Sequence, residues 1–272
     1  MRSHISVLLA VVFIAYACHR GTTLGTPRHR DGDGALRLVL LQNSYFGGGF
    51  DQPLFLAYAD GTILFPRTTS HGIPEQYTVL HVPPVSVDSL LGSLGVTAAL
   101  YSLDSLYDYA PGWTDQHSFY LLLPADSGQK LVVIRAGLED SMKLRSDVPA
   151  PFKQLYARLM AFSPPSATGW VPDSLQVSIW PYEYAPDNPP LAWPQRWPGL
   201  DSPRWKRRSD DLVKEVRTIR LPFSDRPLLD SLLVARREKQ AIGITGRKWA
   251  VGYRWLFPQE TEWWWLAKRL ES

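Results

Sequence analysis

The spacing of apolar positions changes several times along the chain, and those changes mark its elements. Leu36 to Gln42 is an almost unbroken apolar run of strand length, which predicts a strand buried on both faces. Leu54–Tyr58 and Thr62–Phe65 flank Ala59-Asp60-Gly61, and an Asp-Gly pair between apolar runs predicts a hairpin. Gln76–Val82 gives another strand, closed by Pro83-Pro84. From Ser86 the period lengthens. Val87, Leu90, Leu91 and Leu94 recur at helical spacing and Gly95 stops them. Thr97 to Tyr107 continues that spacing through Leu100, Leu103 and Leu106 or Tyr107, and so predicts a second helix. Ser118–Leu123 and Lys130–Arg135 form a second hairpin around Pro124 to Gly128. Pro151 then opens a helix with Phe152, Leu155, Tyr156, Leu159 and Met160 on one face.

Ser163 to Gly169 has the composition of a linker, and beyond it the chain changes character. All of the 11 Trp except Trp113 lie at or after Trp170. Leu175, Val177 and Ile179 alternate with polar residues, as in a strand with one buried face. Pro181 to Pro203 is dense in proline and aromatic rings, which excludes helix and sheet interiors and predicts an ordered strap. Val213–Leu221 reads as a strand, and Ser224 to about Arg237 as a helix burying Leu228, Leu229, Leu232 and Leu233. Ala241–Thr245 and Lys248–Phe257 make a third hairpin, and Pro258 opens a last helix through Leu270. Strands in hairpins with interspersed helices predict an α+β protein, an antiparallel sheet of hairpins with helices packed on one face, in two lobes. The expected boundaries are 35–162 for an N-terminal α+β domain, 163–169 for a linker and 170–272 for a Trp- and Pro-rich C-terminal lobe.

The first 34 residues stand outside this pattern. Arg2 precedes an apolar run from Ile5 to Ala15, about half the ~20 residues that a spanning helix needs, so residues 1–17 read as a signal peptide. Ala15 and Ala17 stand where a signal peptidase reads small side chains, and Cys18, the only cysteine, follows. Residues 18–34 carry Gly, Thr, Pro and charge with almost no apolar content, the composition of a flexible tether. Ala15-Tyr16-Ala17-Cys18 resembles the processing site of a bacterial lipoprotein precursor. That resemblance implies lipidation of Cys18, which would become the mature N-terminus, and location at the cell membrane or outer membrane, facing away from the cytoplasm. His19 after the cysteine is similar to the outer-membrane class. Simple secretion is the alternative for the same residues, leaving Cys18 as an unpaired thiol, a poor outcome in an oxidising compartment.

Residues 35–162 are similar to a group of bacterial secreted domains. Their shared features are an early Gly-rich loop (Gly47-Gly48-Gly49), a hairpin Asp-Gly (Asp60-Gly61) and a Thr-Asp before a strand (Thr114-Asp115). The group implies a fold and no activity.

Composition narrows the function classes further. A net charge of +3, one unit of it from Arg2, is too small and too scattered to point to nucleic acid. With a single cysteine there is no disulfide, so the core alone must hold the body together. Neither a nucleophile elbow nor a phosphate loop occurs, and no cofactor is implied. His71, His81 and His117 are the folded-part histidines, without a metal-binding pair among them.

Four constellations remain. Asp115 and His117, two apart at the start of a strand, share a face on which the carboxylate could orient the imidazole, with Asp108 nearby; a turn Asp and a half-exposed strand His are the alternative. Asp104 and Asp108 have helical i, i+4 spacing, read as a solvated helix face or a carboxylate pair. Trp193 and Trp197, with Tyr182 or Tyr184, could form a glycan-stacking platform or pack inside. Trp263, Trp264 and Trp265 cannot all face one core stripe of a helix. Trp264 beside Lys268, and Trp265 beside Arg269, suit a bilayer or partner surface, to which Arg204, Lys206, Arg207 and Arg208 would add attraction for anionic lipid. The combined expectation is a lipid-anchored envelope protein with a binding or structural role. Its partners are then the membrane, through Cys18, and an envelope glycan or protein. An envelope hydrolase acting on glycan or peptide through Asp115 and His117 is the alternative.

Overall fold

The computed structural model describes residues 35–43, 52–70, 73–112, 117–126, 128–139, 143–182, 188–208, 215–237 and 239–260. They form an α+β structure of two mostly antiparallel sheets with short helices. The first eight strands are β1 (Leu36–Asn43), β2 (Gln52–Tyr58), β3 (Thr62–Ser70), β4 (Ile73–His81), β5 (Leu106–Asp108), β6 (Ser118–Ala125), β7 (Gly128–Arg135) and β8 (Thr168–Trp170). They join in the order β5-β7-β6-β1-β2-β3-β4-β8. Helices α1 (Val87–Ser93), α2 (Ala98–Tyr101) and α3 (Ala150–Met160) belong to this half. The second sheet runs β10-β13-β14-β9-β12-β11, from β9 (Ser174–Pro181), β10 (Leu191–Ala192), β11 (Lys206–Arg208), β12 (Val216–Pro222), β13 (Ile242–Ile244) and β14 (Arg247–Trp255), with α4 at Arg226–Ala235.

The unbroken apolar run at the start of the body becomes β1, in the middle of its sheet with both faces covered. Leu38 and Leu40 join one core with Phe55, Phe119, Phe152 and Leu155, on the side of α1, α2 and α3. Val39 and Leu41 face the other way, into a second core shared with Leu175, Val177 and Ile179 of the second sheet. Each sheet residue adds apolar area to one side or the other, at ~25 cal/mol per Å² buried, so neither face can turn to water cheaply.

The Asp-Gly hairpin forms as its sequence predicts. Gly61 has φ +92°, and a Cβ there would stand 1.9 Å from the Val82 carbonyl oxygen. Asp60 Oδ1 accepts the Thr62 amide at 2.8 Å, which closes the turn.

The stretch from Thr97 to Tyr107 departs from expectation. Only Ala98–Tyr101 is helical, after which the chain turns and Leu106–Asp108 pairs in parallel with Val133–Arg135. Leu100 and Leu103 are buried as expected, but Leu106 is 51% exposed on the edge of the sheet. Asp104 and Asp108 therefore do not share a helix face.

The stretch read as a linker gives its last residues to β8, which pairs with β4 through Tyr77↔Trp170 and Val79↔Thr168. Trp170 thus belongs to the first sheet while packing against the second. Its ring stacks on Phe257 at 5.2 Å, and Tyr77 meets both Trp255 (5.4 Å) and Phe257 (4.9 Å). The Tyr58 hydroxyl donates across the same junction to the Pro258 carbonyl at 2.8 Å. The two sheets therefore share an aromatic seam. No helix among the described residues is long and apolar enough to cross a membrane. The last helix expected from Pro258 falls outside the described residues after Glu260.

Candidate functional site

The alternation that buries one side of β9 sends its other side outward. Leu175, Val177 and Ile179 enter the core; Ser174, Gln176 and Ser178 take the opposite face, where Ser174 and Gln176 are partly exposed and Ser178 is covered. Register extends that polar face across the sheet. Gln176 pairs with Arg220 of β12 on one side and Arg254 of β14 on the other, so the three stand in a row at roughly 5 Å steps. Lys206 of β11 pairs with Thr218 of β12, in the neighbouring row. Arg204 lies one strand step before it and donates from Nη2 to the Arg220 carbonyl at 2.9 Å.

This face is the floor of a groove of about 890 Å³. One wall is Trp170 to Asp173, between β8 and β9, and the other is Leu256 to Glu260, after β14. Val171, 62% exposed, gives one end an apolar lip. Four cations line it, Arg204, Lys206, Arg220 and Arg254, against two carboxylates, Asp173 and Glu260.

These cations are of two kinds. Arg254 is buried to 12% side-chain exposure and ion-paired to Glu260, itself at 6%. Its Nη2 donates to Gln176 Oε1 at 3.2 Å, and Glu260 Oε2 accepts the Phe257 amide at 3.1 Å, so the pair is fixed from both ends. Arg204, Lys206 and Arg220 are exposed, and none has a carboxylate partner among the described residues. The hydroxyls of Ser174 and Thr218 also lie in the groove without a hydrogen-bond partner among the described residues. Such a surface can hold anionic oxygens by guanidinium and ammonium donors and hydroxyl groups by the floor side chains.

No family model matches the chain, and no curated protein or solved structure matches it either. The groove must therefore be judged on its own chemistry.

The residues singled out by sequence are placed differently. Trp193 and Trp197 are 9% and 4% exposed, with ring centroids 4.8 Å apart, and Trp193 Nε1 donates to the Pro198 carbonyl. Of the two arrangements open to them, the exposed stacking platform does not form and the strap folds its rings inward. Tyr182 is half-buried, and Tyr184 lies outside the described residues. Asp115, Trp264 and Cys18 also lie outside them. His117 stands one residue before Ser118, which shares a row with Arg135 and Asp108. Its side chain therefore leaves the opposite face from Asp108, whose carboxylate is instead 3.8 Å from Arg135. His117 Nδ1 is buried without a hydrogen-bond partner among the described residues. Among the described residues no group of His, Cys, Asp or Glu could hold a metal ion.

Arg204 and Lys206 were visible in the sequence as part of a basic run, but Arg220, Gln176 and Thr218 were not. The one signal that could have found them is the outward phase of β9 and β12. Polar residues two apart, Ser174-Gln176 and Thr218-Arg220, predict a shared outward face once the strands are paired.

Proposed function

We propose that the protein is exported, is held at the cell envelope by lipid on Cys18, and acts by binding an anionic ligand in the groove of the second sheet. The observation that carries the binding reading is the set of three exposed cations, Arg204, Lys206 and Arg220, on one concave face without carboxylate partners among the described residues. Glu260 is taken up by Arg254, so these three cations outnumber the one other carboxylate lining the groove, Asp173, and a cationic excess over hydroxyl and amide groups is complementary to an anion. The anchor reading is supported by the signal-peptide pattern of residues 1–17 and by Cys18, which has no other thiol to pair with.

Two measurements test the two halves of this reading. The intact mass of the mature protein should exceed that of the peptide beginning at Cys18 by a lipid increment, and Cys18→Ala should lack it. An unmodified mass from the wild type would sink the anchor. For binding, calorimetric titration with dextran sulfate should give an affinity that falls as salt rises, with neutral dextran silent. A charge-assisted hydrogen bond contributes about 1.5 kcal/mol or more, discounted here for exposure, so Lys206→Gln with Arg220→Gln should weaken binding at least about tenfold. Unchanged affinity in that double variant would remove the groove from the reading.

A further inference from the structure

Resting on that reading, we infer that the ligand is a glycan chain carrying anionic oxygen substituents, laid across strands β11, β12, β9 and β14. Three features of the groove select this chemistry over other anions. The first is the mixture of its floor. Cations alone would suit any anion, but the Thr218 and Ser174 hydroxyls stand beside them, free of protein partners among the described residues, and the amide of Gln176 lies in the row between Arg220 and Arg254. Sugar hydroxyls both donate and accept, as do these groups, so a polyhydroxylated ligand satisfies the floor where a bare phosphate would not.

The second feature is shape. The groove lies between two walls, Trp170 to Asp173 and Leu256 to Glu260, and its volume of about 890 Å³ far exceeds a single oxyanion. Four strands at ~4.8 Å spacing place its floor across roughly 14 Å. A bilayer presents a flat plane of headgroups, which reaches cations on a convex face more readily than cations between walls. A chain enters lengthwise. The apolar lip at Val171 and Leu256 gives the C–H face of a sugar ring a place to rest.

The third feature concerns the aromatic rings. Single-stranded nucleic acid is held in basic grooves by stacking its bases on open ring faces. Here the two lining rings, Trp170 and Phe257, stack on each other at 14° and 5.2 Å. Both also pack on Tyr77, and Trp170 on Trp255, so these rings are engaged in the aromatic seam and the groove offers hydrogen-bonding groups in place of stacking platforms.

The expected arrangement puts acidic substituents on Arg204, Lys206 and Arg220 at the β11–β12 side. The ring hydroxyls then meet Thr218, Gln176 and Ser174. Arg254, held by Glu260, donates to Gln176 and belongs to the structural frame under the floor.

The test compares matched probes on the full-length protein by calorimetry at fixed salt. Oligogalacturonate supplies sugar and charge, its methyl ester supplies sugar alone, and polyacrylate of equal charge supplies charge alone. Oligogalacturonate should bind at least tenfold more tightly than either control. Thr218→Val, which removes a floor hydroxyl and leaves every charge, should weaken oligogalacturonate about threefold to tenfold and leave polyacrylate unchanged. Far-UV circular dichroism and a thermal melt confirm that this variant is folded. Vesicles of phosphatidylglycerol and phosphatidylcholine and an oligothymidylate serve as the other two arms. If polyacrylate, vesicles or oligothymidylate bind as tightly as oligogalacturonate, and lose affinity in Lys206→Gln/Arg220→Gln, the glycan inference is overturned while the anion groove stands. If no polyanion, dextran sulfate included, binds the wild type, the groove reading itself fails.

Discussion

Replacing Glu260 with Gln should cost this protein about 3 kcal/mol of stability. The carboxylate is among the least exposed charges among the described residues, at 6% for its side chain, and its partner Arg254 is at 12%. Gln keeps the shape and still offers an oxygen to the Phe257 amide, so the perturbation is close to pure charge removal. It leaves a guanidinium in a largely dry site beside the neutral acceptor Gln176. Breaking a buried pair from one side costs 3–5 kcal/mol in general, and the groove wets one edge of this one, which places the expectation at the low end. With 1 kcal/mol shifting the melting temperature by ~2–4 °C in a domain of this size, the change should be roughly 6–12 °C. Urea unfolding followed by circular dichroism measures it, with an unchanged m-value showing that only stability has moved. The double variant Arg254→Met/Glu260→Gln, which removes both charges, should recover most of the loss. A single variant within about 0.5 kcal/mol of wild type, or a double variant no better than the single, would refute the assignment of this pair as a buried structural bridge.

Two further outcomes follow from local geometry and titration. Burial, and then the hydrogen bond to Asp230, push the Tyr253 hydroxyl up to about 12 from an ordinary 10.0. The folded state thus holds this proton more tightly than the unfolded chain, so its contribution is complete below about pH 10 and is lost as pH rises through about 12. Tyr253→Phe should therefore flatten the alkaline fall in stability over that window, and an identical pH profile in the variant would contradict it. At the hairpin turn, Gly61→Ala must place a Cβ 1.9 Å from the Val82 carbonyl oxygen at φ +92°, a clash with backbone that no rotamer relieves. A loss on the order of 3 kcal/mol is expected in urea unfolding, and a change below about 1 kcal/mol would mean that the β2–β3 turn does not adopt this geometry.

The elements were legible where a single physical cause controlled them. The Asp60-Gly61 hairpin formed because only a glycine adopts that backbone without penalty. The continuous run in β1 and the alternation in β9 each reported how many faces are buried. Helical spacing misled at Leu106, because a three-residue interval repeated by chance after a one-turn helix, and pairing with Val133 then claimed the segment for a strand edge. The tryptophans left two readings open, an exposed platform and inward packing, and inward packing is what forms. Ring density shows that large apolar surface exists and not which side of it meets water, and Trp193 and Trp197 were free to cover each other. The groove was hidden because its parts come from four separate stretches, around 172, 205, 219 and 257, with no local motif in any of them.

Once the strands are paired, the cations of the groove sort themselves by burial. Arg254 is nearly dry and therefore has a dedicated carboxylate, since an unpaired charge at that depth would destabilise the fold by several kcal/mol. Arg220 stands two strands away in the same row, and Arg204 and Lys206 beside it. These three are wet, need no counter-ion to be tolerated, and have none among the described residues. The same strands that bury Leu175, Val177 and Ile179 hold these groups outward. A slip of one residue in β9 would send Gln176 into the core and Val177 into the groove. Fold and site thus depend on one register, and within that register paired and unpaired cations have separate roles. Substitution of Arg254 or Glu260 should register as stability, and substitution of Lys206 or Arg220 as binding.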